Sequence, residues 1–271
     1  MITLKAETAL VTGASRGIGR GIAQKLVDSG IRQIAVGYLS NEAAAQETAT
    51  KLEQAGARVL PVRADCTRPD QIATMFDEVK STFGSLDIFV HNARPNPGDE
   101  PWFASATDMT LPGLDAAFTS QVQAMVLGCQ ACIPLMANGG RIVAITHAPG
   151  GKTGSWQPWA AMGPAKAALE ATIRYFAVSL ATKGITVNCV SPGVIDDSVI
   201  NSLPDEVVTA IRDWQESGWN PMRRMGTPAD VSNAVTMLCA EEASFITGQT
   251  IHVDGGASIM WPELPLAVQG L

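Results

Sequence analysis

The sequence is poor in several residue types that would point to a particular class of protein. Its 271 residues include only two tyrosines, three histidines and five cysteines. The cysteines do not suggest a disulfide framework, so we expect a reducing, cytoplasmic setting. No apolar run reaches the length of a membrane span. The opening residues enter a strand pattern almost at once, so we expect no signal peptide.

Positive charge is also scarce in this chain. The 19 lysines and arginines are outnumbered by 26 aspartates and glutamates, which gives a net charge of −7. Because no run of basic residues appears, we expect neither nucleic acid nor an anionic membrane as a partner. No histidine–carboxylate cluster indicates a metal site. Apolar residues, in contrast, make up 46% of the chain, which is enough for one globular domain over residues 1–271.

Short β-rich runs alternate along the chain with longer helical patterns. Strands are predicted at 7–14, 32–38, 57–65, 86–93, 140–147, 184–193 and 248–256, and helices at 17–30, 41–56, 69–83, 110–137, 163–182 and 228–241. This alternation predicts an α/β fold, with a doubly wound parallel sheet in a single Rossmann-type domain. Segment 194–227 interrupts the alternation and is interpreted as a substrate lid, with Asp196 and Asp197 as its solvated start. Residues 257–271 form a C-terminal tail.

A glycine-rich turn, VTGASRGIG, joins the first strand to the first helix. Gly13 permits a tight turn, and Gly17 and Gly19 let the backbone approach a pyrophosphate at the positively polarised helix N-terminus. The second strand ends in GYLSN, with no acidic residue before Glu42 to bind ribose hydroxyls. Arg16 can pair with a 2′-phosphate, or it is only a solvated loop charge. The sequence therefore predicts NADP(H) as the cofactor. Ser15, Ile18 and Tyr38 are predicted to belong to the same site.

Five motifs occur in a fixed order over nearly the whole chain. They are TGASRGIG (12–19), HNA (91–93), KAALEA (166–171), NCVSPGVI (188–195) and ITGQTIHVDGG (246–256). Together they resemble the short-chain dehydrogenase/reductase family. The resemblance implies a nicotinamide cofactor in a Rossmann domain and, usually, a homotetramer. It also implies that Asp65 and Cys66 lie near the adenine, Asn92 and Ala93 border the ribose, Pro192, Gly193 and Ile195 border the nicotinamide, and Lys166 binds the nicotinamide ribose.

The catalytic residues of that family are only partly present here. The family works with asparagine, serine, tyrosine and lysine, and of these only Lys166 is plainly present. Gln121 stands at the asparagine position, and Thr146 and His147 stand where the serine normally ends the fifth strand. Met162 occupies the tyrosine position, four residues before the lysine, and its thioether cannot transfer a proton.

A different spacing also leaves the site without a phenol. FVHNARPNPGDE (89–100) and MGPAKAALEATIRYFA (162–177) look similar to the enoyl-acyl-carrier-protein reductase branch, whose tyrosine lies seven residues before the lysine. Trp159 stands there in this chain. Lys166 and His147 therefore become the predicted catalytic residues. The pKa of His147 could lie near neutrality, or the residue is an inert, hydrogen-bonded end of a strand. Pro164 is tolerated if the helix begins near residue 163, and otherwise kinks it.

Large apolar residues cluster in the segments that follow the strands. Substrate contacts are predicted for Trp159, Met162, Trp214 and Trp219, and for Arg94, which replaces the glycine usual after HNA. Trp102, Phe103, Trp156, Met222 and Met225 are further candidates for the pocket. The alternative is that the tryptophans pack the lid and the subunit contacts. CQAC at 129–132 resembles a redox pair, but helix packing explains it better.

These features support two functional hypotheses. The first is an NADP(H)-dependent oxidoreductase that reduces an activated C=C or C=O of a hydrophobic or carrier-bound substrate. A conjugated enone accepts hydride at its β-carbon, and Lys166 could stabilise the resulting enolate until water protonates it. The second hypothesis is a cofactor-binding homologue whose redox chemistry is lost or redirected, as in an isomerase, dehydratase, cyclase or non-catalytic subunit.

Overall fold

A seven-stranded sheet forms the centre of the computed structural model, which describes residues 2–94, 104–147, 159–197 and 200–260. The strands are β1 (Thr8–Val11), β2 (Gln33–Tyr38), β3 (Arg58–Arg63), β4 (Ile88–His91), β5 (Gly140–Ile145), β6 (Ile185–Pro192) and β7 (Thr250–Val253). All neighbours pair in parallel, in the order β3-β2-β1-β4-β5-β6-β7. The chain direction reverses between β1 and β4, which is where doubly wound sheets bind ligands. The predicted fold class is confirmed.

Helices cover both faces of this sheet. They are α1 (Gly17–Asp28), α2 (Glu42–Gln54), α3 (Pro69–Phe83), α4 (Leu111–Phe118), α5 (Ala124–Cys132), α6 (Met162–Leu180), α7 (Asp205–Trp214) and α8 (Pro228–Cys239). One buried cluster joins α3, α5 and α6 to the sheet, and another joins α1, α2 and α8 to the opposite face. Because both faces are covered, β1, β4 and β6 are buried along their whole length. Within the described ranges, no helix combines the length and apolarity needed to cross a bilayer.

Local signals explain several helix starts. Asn41 caps α2 by accepting a hydrogen bond from the backbone N–H of Ala44. Thr227 and Asp230 form a capping box at the start of α8. Pro164 falls in the first turn of α6, which begins at Met162, so the helix tolerates it. The alternative of a kink is therefore not realised.

Two predicted elements differ from the structure. The helix predicted over 110–137 is divided into α4, a π-helical segment (Thr119–Gln123), α5 and a short 3₁₀ turn (Ile133–Leu135). A π-helical turn shifts the helical register by one residue, which apolar periodicity over so long a run does not reveal. The strand predicted to end at 147 ends at Ile145, although the Thr146 backbone N–H still donates to the Val190 carbonyl.

Candidate active site

The glycine-rich turn after β1 is shaped by close backbone contacts. Gly13 has φ +66°, and a Cβ there would lie 3.0 Å from the Ala93 Cα. A Cβ on Gly19 would lie 2.2 Å from the Gly13 carbonyl oxygen. Arg16 does not cap α1 with its side chain, so the first amides of that helix face the turn. A turn with this geometry can receive a phosphate on backbone N–H groups.

Hydrogen bonds tie this turn to the end of β4. The Thr12 hydroxyl accepts from the backbone N–H groups of Asn92 (3.0 Å) and Ala93 (3.1 Å). The Asn92 side-chain amide donates to the carbonyls of Thr12 (3.0 Å) and Gly13 (3.1 Å). The two loops that would hold a dinucleotide therefore keep a fixed separation without a ligand.

The turn opens into a cavity of about 1190 Å³ at the carboxyl edge of the sheet. All of the predicted cofactor residues except Gly19 line it. They are Gly13, Ser15, Arg16, Gly17, Ile18, Tyr38, Asp65, Cys66, Asn92, Ala93, Lys166, Pro192, Gly193 and Ile195. Gly19 is buried behind the turn, where it permits the close packing described above. A Cβ on Gly193 would lie 2.8 Å from the Asp254 Cβ, so this wall also requires glycine.

Lys166 is the central charged group of the deeper part of the cavity. Its side chain is buried on α6, and its Nζ donates to the Gln121 Oε1 (2.6 Å) and to the Ile145 carbonyl (2.5 Å). Burial lowers the pKa of Lys166 to about 8, while the nearby Cys189 and Glu170 counteract that change. An ammonium has three donors, so one N–H is left for a group in the cavity.

Thr146, which follows β5, has its hydroxyl directed away from this role. It donates to the Glu170 Oε1 at 2.9 Å, and both residues are buried. Glu170 lies one helical turn after Lys166, and it had no predicted function. The i, i+4 spacing of a lysine and a glutamate on an otherwise apolar helix was the signal that could have identified it. The same holds for Gln121, a polar residue in the apolar stretch FTSQVQAMVLG.

His147 lines the cavity but does not have the predicted ionisation. Its ring lies 4.9 Å from that of Trp159, centroid to centroid, and hydrogen-bonds the Pro192 carbonyl. Burial, with a further contribution from the charge of Lys166, lowers the pKa of His147 to about 4. The prediction of a pKa near neutrality is therefore wrong. A neutral imidazole that donates one N–H to the backbone has an acceptor at its other nitrogen.

Asp197 also differs from its predicted environment. It is buried, with 9% exposure, and lines the cavity, so it is not the solvated start of a lid. Arg94, at the end of the β4 loop, lines the same cavity. Burial and the charge of Arg16 lower the pKa of Arg94, and the Asp197 carboxylate opposes that shift. Opposite charges thus face the cavity from the ends of β4 and β6.

The predicted substrate residues divide into three groups. Trp159, Met162, Arg94 and Trp214 line the cavity, together with Val207 and Ile211 of α7. Trp219 is not part of the described lining but stacks on Trp214, with ring centroids 4.7 Å apart. Met222 is exposed and Met225 is buried outside the lining. Trp102, Phe103 and Trp156 lie outside the described residues.

The cysteines of CQAC are packing residues. Cys129 and Cys132 are both fully buried in the core beside α3, and burial raises the pKa of each thiol. Cys66 lines the cavity, yet burial raises its pKa to about 12. A buried neutral thiol is a poor nucleophile. No group of three metal-binding side chains occurs in the part of the chain that the structure describes.

Comparisons with known proteins agree with this geometry. A family model described as enoyl-(acyl carrier protein) reductase matches residues 13–258. The chain is 37% identical to 1-cyclohexenylcarbonyl-CoA reductase of Streptomyces collinus, over 94% of this chain and 88% of that protein. It is 32% identical to the 3-oxoacyl-[acyl-carrier-protein] reductase FabG of Staphylococcus epidermidis, over 92% of this chain and 98% of that one.

Solved structures are similar over a comparable length. The angucycline C-6 ketoreductase LanV with bound NADP has 31% identity and a TM-score of 0.82, with 94% of this chain and 96% of that chain covered. Acetoin dehydrogenase YohF from Salmonella typhimurium has 30% identity and the same TM-score, with 96% and 98% covered. The sheet order, the glycine-rich turn and these similarities agree over nearly the whole length. The chain belongs to the short-chain dehydrogenase/reductase family, and it is a reductase of that family.

Proposed function

We propose that this protein is an NADPH-dependent reductase of the conjugated C=C bond in a hydrophobic acyl thioester. The observation that carries the proposal is the composition of the cavity. A nucleotide-shaped entrance leads to a buried ammonium with one N–H to spare, and no phenol stands beside it. Of the two tyrosines, Tyr38 lies at the end of β2 and Tyr175 is 79% exposed.

The residues present fit a dinucleotide. Side chains are missing at Gly13, Gly19 and Gly193, where a Cβ would meet neighbouring atoms at 3.0 Å or less. Arg16 lines the entrance, and the segment after β2 offers the neutral residues Leu39, Ser40 and Asn41. A guanidinium without a competing carboxylate at this place favours a ribose that carries a 2′-phosphate.

The active site is atypical for ketone reduction but suits an enoyl thioester. A reduced nicotinamide, when bound, supplies a hydride, which such a substrate accepts at its β-carbon. The electron pair of the C=C bond then moves toward the thioester oxygen. Lys166 can donate its remaining N–H to that oxygen or to a ribose hydroxyl, and a water molecule delivers the proton to the α-carbon. No step requires a side-chain acid, which agrees with Met162 at the tyrosine position.

The far end of the cavity supports a hydrophobic acyl group. Val207, Ile211 and Trp214 of α7 line it, and Trp159 and Met162 line the side nearer Lys166. We therefore propose segment 194–227 as a lid over the acyl group, within a single domain. The similarity to 1-cyclohexenylcarbonyl-CoA reductase agrees with a ring-sized substrate carried on a thioester.

Assembly and location complete the proposal. Tyr175 and Val178 of α6 are each 79% exposed, and Phe245 is fully exposed. Large exposed apolar residues of this kind mark protein contacts, which supports a homotetramer in the cytoplasm. Light scattering of the purified protein would measure its mass; a monomer at micromolar concentration would contradict this part of the proposal.

The function is tested by following the absorbance of reduced nicotinamide. NADPH is mixed with purified protein and with cyclic enoyl thioesters, matched β-ketoacyl thioesters or simple ketones. We expect oxidation of NADPH with the enoyl thioesters, slower oxidation with NADH, and saturated thioester as the product by mass spectrometry. Consumption of ketones but not of enoyl compounds would replace the proposed substrate class.

A second candidate function is favoured by Met162. A methionine at the tyrosine position removes the usual proton donor, which fits a homologue that binds the dinucleotide but has lost or redirected its redox chemistry. Tight NADPH binding without oxidation by any member of the panel would support this alternative. Met162→Tyr is the companion variant, since a gain in ketone reduction would indicate a carbonyl reductase site that only lacks its phenol.

A further inference from the structure

Gln121 occupies an unusual position in the molecule. It lies in the π-helical segment Thr119–Gln123, between α4 and α5, and it is completely buried. π-Helical turns are rare, and they occur often at functional sites. A polar side chain buried in a helix must be satisfied by partners in its surroundings. The partners of Gln121 therefore show what the turn is for.

Both ends of the Gln121 amide are bonded. Its Oε1 accepts from the Lys166 Nζ at 2.6 Å, and its Nε2 donates to the Ala93 carbonyl (3.2 Å) and to the Ser120 hydroxyl (3.1 Å). The orientation of the amide is fixed, because an ammonium has donors only and a carbonyl has an acceptor only. One side chain thus links the lysine to the loop that borders the nucleotide entrance.

The backbone around Gln121 is held as well. The His91 ring, at the end of β4, hydrogen-bonds the backbone carbonyls of Ser120 and Gln121. Burial lowers the pKa of His91 to about 3, so its ring is neutral and is a stable partner at physiological pH. These bonds satisfy carbonyls in the π-helical segment, and they hold Gln121 at a constant depth.

From these contacts we infer that Gln121 is a positioning residue, which fixes Lys166 directly and aims its third N–H into the cavity. Two of the three donors are committed to Gln121 and to the Ile145 carbonyl. The third is then directed by elimination and not by a flexible side chain. Without Gln121, the lysine would lose one anchor and its connection to Ala93.

The test measures Lys166 itself, so that it does not depend on the proposed function. The pKa of Lys166 is obtained from nitrogen-15 lysine NMR of the full chain, with the signal assigned by its loss in Lys166→Met. Several ionisable groups act on this lysine, and they remain unchanged in the variants. They are Glu170 on α6, Cys189 on β6, Arg94 after β4, and His91 and His147.

Three variants separate a positioning role from a structural one. Gln121→Glu places a carboxylate beside the ammonium, so we expect the pKa of Lys166 to rise. Gln121→Leu removes the acceptor, so we expect a lower pKa and about tenfold weaker NADPH binding. Gln123→Leu is the matched control, since Gln123 lies in the same π-helical segment but is exposed; it should change neither quantity.

The outcomes are distinct from those of the functional test. A Lys166 pKa that is the same in Gln121→Glu, Gln121→Leu and the unaltered chain would overturn the inference, whether or not the protein oxidises NADPH. Opposite shifts in the two variants would support it, even if no substrate is turned over. Should Gln121→Leu fail to fold, as thermal unfolding would show, Gln121→Glu still decides, because its pKa must rise.

Discussion

The nucleotide entrance and the deeper catalytic part of the cavity obey different rules, although they share one edge of the sheet. The entrance is built from backbone: glycines, amides at the start of α1, and the Thr12–Asn92 hydrogen bonds. The catalytic part is built from side chains, and each departs from the family pattern. Backbone geometry allows little substitution, whereas a side-chain site can be rebuilt around a single retained group. Here that group is Lys166.

Removal of Lys166 should have the largest effect on the catalytic side of this comparison. We expect Lys166→Met to lower the turnover of enoyl thioester by about 100- to 1000-fold, as for the loss of a preorganised donor to a developing oxyanion. The measurement is the steady-state oxidation of NADPH. The control is Lys183→Met, because Lys183 is exposed and precedes β6 at the opposite edge of the sheet. Retained turnover in Lys166→Met would show that the lysine serves the nucleotide alone.

A single methyl group in the glycine-rich turn should have the next largest effect. Gly13→Ala brings a Cβ within 3.0 Å of the Ala93 Cα, and overpacking of about 1–3 kcal/mol corresponds to roughly 10- to 100-fold weaker NADPH binding. Calorimetry would measure it. Gly56→Ala is matched for backbone strain, with φ +94°, but its Cβ would meet no atom within 4 Å. Both variants should lose stability, and only Gly13→Ala should lose affinity. Equal affinities would contradict the proposed phosphate turn.

Selectivity between the two dinucleotides should change by a smaller amount. We expect Arg16→Gln to weaken NADPH binding about tenfold, since hydrogen bonds to charged groups contribute about 1.5–3 kcal/mol, and to leave NADH binding nearly unchanged. Fluorescence titration with each dinucleotide measures both constants. An equal loss for NADPH and NADH would indicate that Arg16 binds the pyrophosphate and not the 2′-phosphate.

The smallest effect is expected at His147, and pH reveals it. Because the pKa of His147 is lowered to about 4, its ring is neutral above pH 5 and cannot act as the acid. The pKa of Lys166 is lowered to about 8, so the ammonium is present below that pH and is lost above it. Turnover should therefore be level from pH 5 to pH 7 and fall about tenfold per pH unit above the lysine pKa.

His147→Phe serves as the variant for this prediction. It should change kcat by less than about threefold and keep the decline at high pH, since neither depends on the imidazole. A profile that acquires or loses a slope between pH 5 and pH 7 in His147→Phe would assign the proton to the histidine after all.

The sequence predicted the fold and the nucleotide entrance well, for a physical reason. Parallel strands and glycine-rich turns depend on local pattern and backbone conformation, which a single sequence contains. It predicted the catalytic part less well. The pKa of His147 depends on burial by residues distant in the chain, and Asp197 is buried by packing that no local pattern encodes. Gln121 required a π-helical turn to reach Lys166, and a shift of one residue leaves no periodic signal.

The Thr12 hydroxyl has one more consequence. It accepts from two amides after β4, and it lies 3.4 Å from the Val90 carbonyl, to which it donates. With its bonding capacity filled within the protein, this side chain has nothing to rearrange when a nucleotide arrives. Complex formation should then proceed in one kinetic phase whose rate rises linearly with ligand concentration, without the plateau that a slow loop closure imposes. Thr12→Val, which keeps the shape and removes the hydroxyl, would introduce that plateau.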